Sequence, residues 1–349
     1  MGARTSIYRT LHRCAAAAAL CFAFRAPLSA GSEAGTTSAN FLKIPAAVIP
    51  TALGEAYTAM IGPDSILYNP AGLGLMSYSA FSGTHNRYLE EITQEYAAVA
   101  YRSRYGTLGA AFSMVNSGKF DAYDANDMLI GETSTSHQLW ILSFSQSWPR
   151  FRRDIGRLDP MLITPSWSRI PEERDYRPKT YRISLGASVK KIVEELDRVS
   201  GSEYTFDAGA MLVLPGHFQF GASALNMMGE QKFVYESYPL PRTYRVGAAK
   251  DFHTINDLII FTAASDMVKY SDAPTFSVFG IEADIMRLFQ VRAGYRSERD
   301  IGPRLSGGFG LNFDKFTESA IIKGARVDYS YFGFGDLGNT HRFGLQMVW

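Results

Sequence analysis

The side chains able to carry chemistry are few and dispersed. His85, His137, His217, His253 and His341 stand far apart, and none falls in an HxH, HxxxH or HExxH spacing that would bring two imidazoles onto one metal ion. No GxSxG, P-loop, or GxGxxG followed by an acid stands out. Gly307-Gly308-Phe309-Gly310 sits in a strand-like run, where small residues serve packing. Asp121, Asp124, Asn126 and Asp127 gather oxygens in one stretch, but not at EF-hand spacing, so they read as a solvated acidic loop rather than a calcium site. The sequence therefore predicts no enzyme, no cofactor and no metal. An outer-membrane hydrolase, whose Ser, His and acid would converge across separate strands, is the catalytic alternative that spacing leaves open.

Chemistry of another kind is offered by residues 35–76, whose apolar side chains could hold an apolar molecule. Phe41, Ile44, Val48, Leu53, Ala56, Tyr57 and Met60 recur at near-helical spacing, interrupted by Pro45 and Pro50, which predicts two short helical pieces. The stretch closes on the turn-rich Tyr68-Asn69-Pro70-Ala71-Gly72-Leu73. After Tyr78 the apolar period falls to two. This change predicts a compact plug over residues 31–76 and an all-β unit over 77–349.

About fourteen alternating segments follow. In Tyr181 to Lys190 the odd positions are Tyr, Ile, Leu, Ala and Val, and the even ones Arg, Ser, Gly, Ser and Lys. Phe289 to Arg296, Leu305 to Phe313 and Phe218 to Ala224 repeat the split. A soluble β-sandwich would alternate too. Aromatics at the ends of the apolar faces (Trp148, Tyr181, Tyr204, Tyr244, Tyr295), small and charged inward positions suited to a wet lumen, and connections that alternate between short and longer all favour a transmembrane antiparallel barrel. With a first strand at Tyr78 to His85, the short turns lie on one rim and stretches such as Asn116 to Thr135 and Asn226 to Pro241 are long loops on the other, so both termini face the periplasm. The connection 149–179 breaks the rule: it is long, charged and proline-containing, either a solvated insertion or a docking segment for a periplasmic protein.

A barrel of that size is too wide for wall side chains to fill. Phe41, Leu42, Ile44, Val48, Ile49, Leu53, Tyr57 and Met60 would then either line a dry pocket for a hydrophobic ligand or only seal the pore. In the first case each buried methylene of an acyl chain contributes ~0.8 kcal/mol.

The two ends of the sequence fit export. Arg4, Arg9 and Arg13 lead into the apolar Ala15 to Phe24, and Pro27-Leu28-Ser29-Ala30 predicts a signal peptide over 1–30. Both cysteines, Cys14 and Cys21, lie within it. The mature chain would carry 31 basic against 34 acidic residues, a net charge of about −3 that implies no nucleic-acid partner. At the other end Phe343, Leu345, Met347 and Trp349 share one strand face and close on an aromatic, as the barrel-assembly machinery of the outer membrane requires of its clients.

The Phe41-Leu42-Lys43-Ile44 run, Leu53-Gly54-Glu55-Ala56-Tyr57-Thr58-Ala59, Asp64 and the Tyr68-Asn69-Pro70-Ala71-Gly72-Leu73 block resemble the N-terminal hatch of the FadL/PorV family of outer-membrane barrels, with the treponemal FadL-like proteins as the branch most similar in these motifs. The resemblance covers about forty residues by motif and the rest by architecture. It implies uptake of hydrophobic molecules, long-chain fatty acids above all: capture near the outer loops, passage to a pocket at the hatch, and sideways release into outer-membrane lipid through a gap in the wall. On that reading the stretch Tyr105 to Met114, interrupted by Gly and Ser, is a candidate for the gap. It carries the hatch turn onto Asn69, Pro70 and Ala71. The PorV branch implies a different role, a docking protein for secretion with no lipid cargo.

Overall fold

The computed structural model describes residues 35–88, 92–123, 126–149, 181–196, 199–233, 236–254, 258–297, 304–313, 324–333 and 338–349. The expected signal at 1–30 and the insertion after Pro149 lie outside these residues. Sixteen strands follow one another: β1 Ala80–Arg87, β2 Thr93–Arg102, β3 Thr107–Tyr123, β4 Leu129–Trp148, β5 Arg182–Leu196, β6 Val199–Leu214, β7 Phe218–Leu225, β8 Glu230–Phe233, β9 Glu236–Pro239, β10 Thr243–His253, β11 Ile259–Tyr270, β12 Phe276–Ile285, β13 Phe289–Arg296, β14 Arg304–Asn312, β15 Ala325–Gly333 and β16 Asn339–Val348. All but β8 and β9 form one closed antiparallel barrel of fourteen strands, and β8 pairs with β9 as a separate hairpin between β7 and β10. The ladder from Ala80↔Val348 to Arg87↔His341 joins first strand to last and leaves no open edge.

Alternation sets which side chain faces which way. In β5, Ile183, Leu185 and Val189 are exposed on the outside while Arg182, Ser184, Ser188 and Lys190 are buried inside. The same division puts Trp140, Phe144, Tyr204, Tyr244, Phe309, Phe343 and Trp349 outward, an aromatic and aliphatic belt fit for lipid. Among the described residues no helix is long and apolar enough to cross a membrane.

Two expectations change. The stretch Asn116 to Thr135 is not a loop: β3 and β4 run on as a two-stranded arm, paired as far as Tyr123↔Leu129, after β2 has ended opposite Asn116 and β5 opposite Thr135. Nor does Thr107 to Met114 open the wall, since its ladders with β2 and β4 are unbroken there and the register shift comes later, between Asn116 and Lys119.

Inside the barrel, residues 35–79 form four short helical pieces, Asn40–Lys43, Val48–Ala52, Pro63–Leu67 and Pro70–Leu75. Between and around them the segment circles the lumen. Val48 lies on Gly344 of β16, Ala52 on Gly308 of β14, Leu53 on Gly280 of β12, Thr58 on Gly221 of β7, Pro70 on Gly186 of β5 and Leu73 on Gly109 of β3. A Cβ on Gly280 would lie 2.7 Å from the Leu53 carbonyl oxygen, and one on Gly308 would lie 2.8 Å from the Ala52 Cβ. Only glycine lets the hatch backbone come so near the wall. Trp349 meets Ser79 at the short-turn rim. Gly35 to Lys43 lies toward the other one, where Ser38 N donates to Pro239 O (3.0 Å) and Lys43 pairs with Asp272 (2.6 Å).

Gly280→Val should therefore lower the denaturant stability of the purified barrel by about 1–3 kcal/mol and speed protease cutting in 35–76. Gly307→Ala in β14 should change neither, because its Cβ would meet nothing nearer than Arg292 O at 3.5 Å.

Candidate functional site

The hatch has little regular structure, so its backbone polar groups need partners from elsewhere. The wall supplies them strand by strand. Arg342 Nη2 donates to Pro45 O (3.1 Å), Ser306 Oγ to Ala52 O (3.2 Å), Arg245 Nη2 to Glu55 O (2.6 Å), Ser223 Oγ to Tyr68 O (2.7 Å) and Ser184 Oγ to Ala71 O (2.7 Å). In the other direction Asp266 Oδ2 accepts from Tyr57 N and Thr58 N, both at 2.9 Å, and from Thr58 Oγ1 at 2.6 Å. The inward serines and arginines are thus packed against protein. The expectation of a wet lumen fails here: Arg326 and Arg342 are fully buried, and Arg292 sits between Glu282 (2.6 Å) and Asp328 (2.7 Å).

Asn69 links the two halves of the hatch. Its Nδ2 donates to Thr58 O (2.8 Å) and to Ala210 O of β6 (3.1 Å), while its Oδ1 caps the helical piece Pro70–Leu75 by accepting from Ala71 N (3.1 Å). Pro70 and Ala71 press on β5 at Gly186. The three turn residues therefore hold a single geometry.

The eight apolar hatch residues do not act together. Phe41, Leu42 and Ile44 line a cavity of about 60 Å³ together with Leu67, Tyr68, Leu139, Leu225 and Tyr270, and Lys190, Asn226, Glu55 and Arg245 are among its polar members. Val48, Ile49, Leu53, Tyr57 and Met60 do not line it and belong instead to a cluster with Val268, Phe276 and Val278 of β11 and β12, which meets the cavity at Tyr68 and Tyr270. Sequence reasoning missed the cavity's cations. Lys190 is an inward even-numbered position, the signal that could have flagged it. It pairs with Asp207 (2.7 Å), as Arg245 does with Asp266 (3.1 Å).

Topology also brings histidines into company: His217 and His253 lie with rings 4.6 Å apart, and His137 pairs with Glu194 (3.0 Å) and stacks on Phe41. Among the described residues no group of three or more metal-ligating side chains forms. On β16, Phe343, Leu345, Met347 and Trp349 all lie on the outward side.

Burial governs the hatch's ionisable groups. The hydroxyls of Tyr57 and Tyr68 are pushed up by loss of solvent. Asp64 is fully buried, and burial raises its carboxyl to about 6 against the opposing pull of the Ser82 hydroxyl and of Arg326. Ser82 and Tyr96 approach it without a well-aligned hydrogen bond to either oxygen. A carboxyl whose folded pKa exceeds its unfolded value stabilises the fold below the unfolded value and loses that contribution as pH rises through the folded one. Asp64's contribution to denaturant stability should therefore fall by something on the order of 3 kcal/mol between pH about 4 and pH about 7, so over that range the wild-type barrel should lose more stability, or gain less, than Asp64→Asn.

No known family profile matches the chain, and no curated protein matches it in sequence. Solved structures do match. The Pseudomonas putida toluene transporter TodX superposes with a TM-score of 0.51 at 9% identity, covering 87% of this chain and 96% of that one. The deltaS2S3 mutant of TodX, a monoaromatic hydrocarbon channel, gives 0.50 at 10% identity, covering 86% and 97%. A Pseudomonas aeruginosa FadL homologue gives 0.48 at 9% identity, covering 88% and 98%. Identities this low speak for architecture alone: the chain shares the barrel fold of TodX, here fourteen strands closed around an N-terminal segment.

Proposed function

We propose that the chain is an outer-membrane transporter for hydrophobic molecules, with long-chain fatty acids as its main cargo. The observation that carries this reading is the cavity between Phe41, Leu42 and Ile44 of the hatch and Leu139 and Leu225 of the wall, whose apolar lining is interspersed with polar side chains such as Gln94, Lys190, Asn226 and Arg245. An apolar pocket with a few polar groups suits a molecule with an acyl body and a polar head. At about 60 Å³ it is too small for a whole acyl chain, so cargo enters by shifting hatch side chains. Phe41, Leu42 and Ile44 then yield to the cargo, Val48, Ile49, Leu53, Tyr57 and Met60 form the apolar layer behind them, and Asn69, Pro70 and Ala71 stay fixed on β5 and β6.

The outward belt sets the barrel in lipid. The short-turn rim with Trp349 faces the periplasm and the arm of β3 and β4 faces outward. Phe343, Leu345, Met347 and Trp349 are then the face met by the assembly machinery. This role needs no catalytic group and no cofactor. A likeness in fold to toluene and monoaromatic hydrocarbon channels supports a hydrophobic cargo without choosing among them.

Displacement of a fluorescent fatty acid from the purified barrel tests the reading. Binding should saturate in the micromolar range and weaken at least about tenfold when 35–76 is deleted. A folded, heat-modifiable barrel with no saturable binding would overturn it. It would favour the docking role instead, in which 149–179 holds a periplasmic partner, whereas release of fatty acid from phospholipid would reveal a hydrolase.

A further inference from the structure

The outward face of β15, β16, β1 and β2 changes character along its height. Toward the short-turn rim it exposes Val99, Tyr101, Val327, Leu345 and Trp349, whereas the outward positions toward the other rim carry Tyr331, Asn339, His341, Arg87, His85 and Glu95. The ladders set these side by side, with Arg87 opposite His341 and His341 opposite Tyr331. His341 of β16 precedes Trp349 by eight residues. At roughly 3.3 Å per residue and a tilt of about 40°, that places it roughly 20 Å from the short-turn rim, near the far edge of an apolar band about 25 Å tall. Most of the patch is paired within itself: the Tyr329 hydroxyl meets His341 Nδ1 (2.7 Å), the Tyr331 hydroxyl donates to Asn339 Oδ1 (2.6 Å), and His85 pairs with Glu95 (2.6 Å). Arg87 is the exception, for it is exposed and no hydrogen bond or ion pair joins it to any described residue. Lysines on other strands are engaged: Lys119 pairs with Glu132 (3.0 Å), Lys191 lies over Tyr204 and Lys250 over Phe218.

We propose that this patch docks the phosphate of a lipid head group in the outer leaflet, with Arg87 as the anchor. The guanidinium presents its donors as a planar fork that matches two phosphate oxygens. His341, its Cβ about 5 Å away across the ladder, adds a second donor: where the Tyr329 hydroxyl donates to Nδ1, the neutral ring keeps its proton on Nε2. Asn339, two residues away on the same face, has its Oδ1 taken by Tyr331 and offers the hydrogens of Nδ2. The carboxylate diagonal to Arg87, Glu95, is engaged by His85 instead. The apolar ground beside the patch makes the ligand a lipid rather than a free ion. Phe343, Leu345 and Phe309 are exposed on the same face toward the short-turn rim and receive the acyl chains that the head group brings with it. Head group and chains then use one continuous surface. The site lies on the outer wall, so it rests on the placement of the barrel in the outer membrane proposed above and not on the cargo of its lumen.

The test is native mass spectrometry of the full chain in dodecyl maltoside, a detergent without phosphate, titrated with dioleoylphosphatidylglycerol and with dioleoylglycerol, which has the same acyl chains and no phosphate. The phospholipid should bind at least about tenfold tighter than the diacylglycerol. Arg87→Gln should cut that preference by about tenfold, while Lys191→Gln on β5 should leave it within about twofold of wild type. Where Arg87→Gln does not reach the heat-modifiable barrel, His341→Leu, which keeps the bulk and removes the donor, should lower the preference by at least about threefold. Equal binding of the two lipids by the wild-type chain, a preference that survives Arg87→Gln in the folded barrel, or an equal loss in Lys191→Gln overturns the site. So does displacement of the phospholipid by inorganic phosphate at about a hundredfold excess, which would mark a simple ion site.

Discussion

The architecture depends on one constraint: a chain segment whose only regular structure is four short helical pieces is buried in a lumen, and every backbone amide it carries there needs a partner. Helical and turn bonds within the segment, such as Glu55 N to Pro50 O and Asn69 N to Ser65 O, satisfy many of these groups, and the rest look to the wall. The barrel answers with side chains, as Arg342, Ser306, Arg245, Ser223 and Ser184 each reach a hatch carbonyl and Asp266 receives two hatch amides. Such bonds form only if the hatch lies close to the wall, and closeness is set by glycines facing it. Wall and hatch are therefore one packed unit, and the hatch is not a cork that drops from a finished pipe.

That constraint explains what was legible in the sequence and what was not. The strands could be read because a wall between lipid and lumen imposes a period of two on Tyr181 to Lys190 and its counterparts. The plug could be read because Pro45, Pro50 and the Asn69-Pro70 turn break that period. The wet lumen was a misreading with a physical cause. Inward serine and arginine look solvated until the backbone they bond to is known, and that backbone is more than a hundred residues away in sequence for Ser184 and Ala71. The glycine girdle was hidden for a similar reason. Each glycine passes for an ordinary small strand residue. Only the register, with Gly186 opposite Gly209, Gly221 opposite Gly247 and Gly280 opposite Gly294, turns scattered positions into a belt.

The candidate site was half legible. Apolar spacing selected Phe41, Leu42 and Ile44 together with five residues that pack elsewhere, because the pattern records which side chains are buried and not what buries them. Glu55 and Arg245 gave no signal, since a pairing across nearly two hundred residues leaves no local pattern. The long-loop reading of Asn116 to Thr135 failed because turn-forming residues are equally at home in a ribbon that has run past its outer partners.

The lumen is also uneven, and the unevenness bears on how anything could move through it. On β2 to β6 the hatch rests against Ala98, Ala111, Leu139, Ile141, Ile192 and Met211, contacts that slide at small cost because they have no direction, beside the directional bonds of Ser184 to Ala71 and of Asn69 to Ala210. On β10 to β16 it faces Arg245, Asp266, Arg292, Arg296, Arg326 and Asp328, whose bonds are directional and whose charges are costly to strand in a dry interior. Expelling the whole hatch would break both sets at once. A shift of the Phe41, Leu42 and Ile44 side chains leaves in place Lys43's pair with Asp272, Asp266's hold on Thr58 and Asn69's hold on β6. The energetically open movement is therefore a small one beside the cavity, with the charged side of the hatch serving as its fixed end.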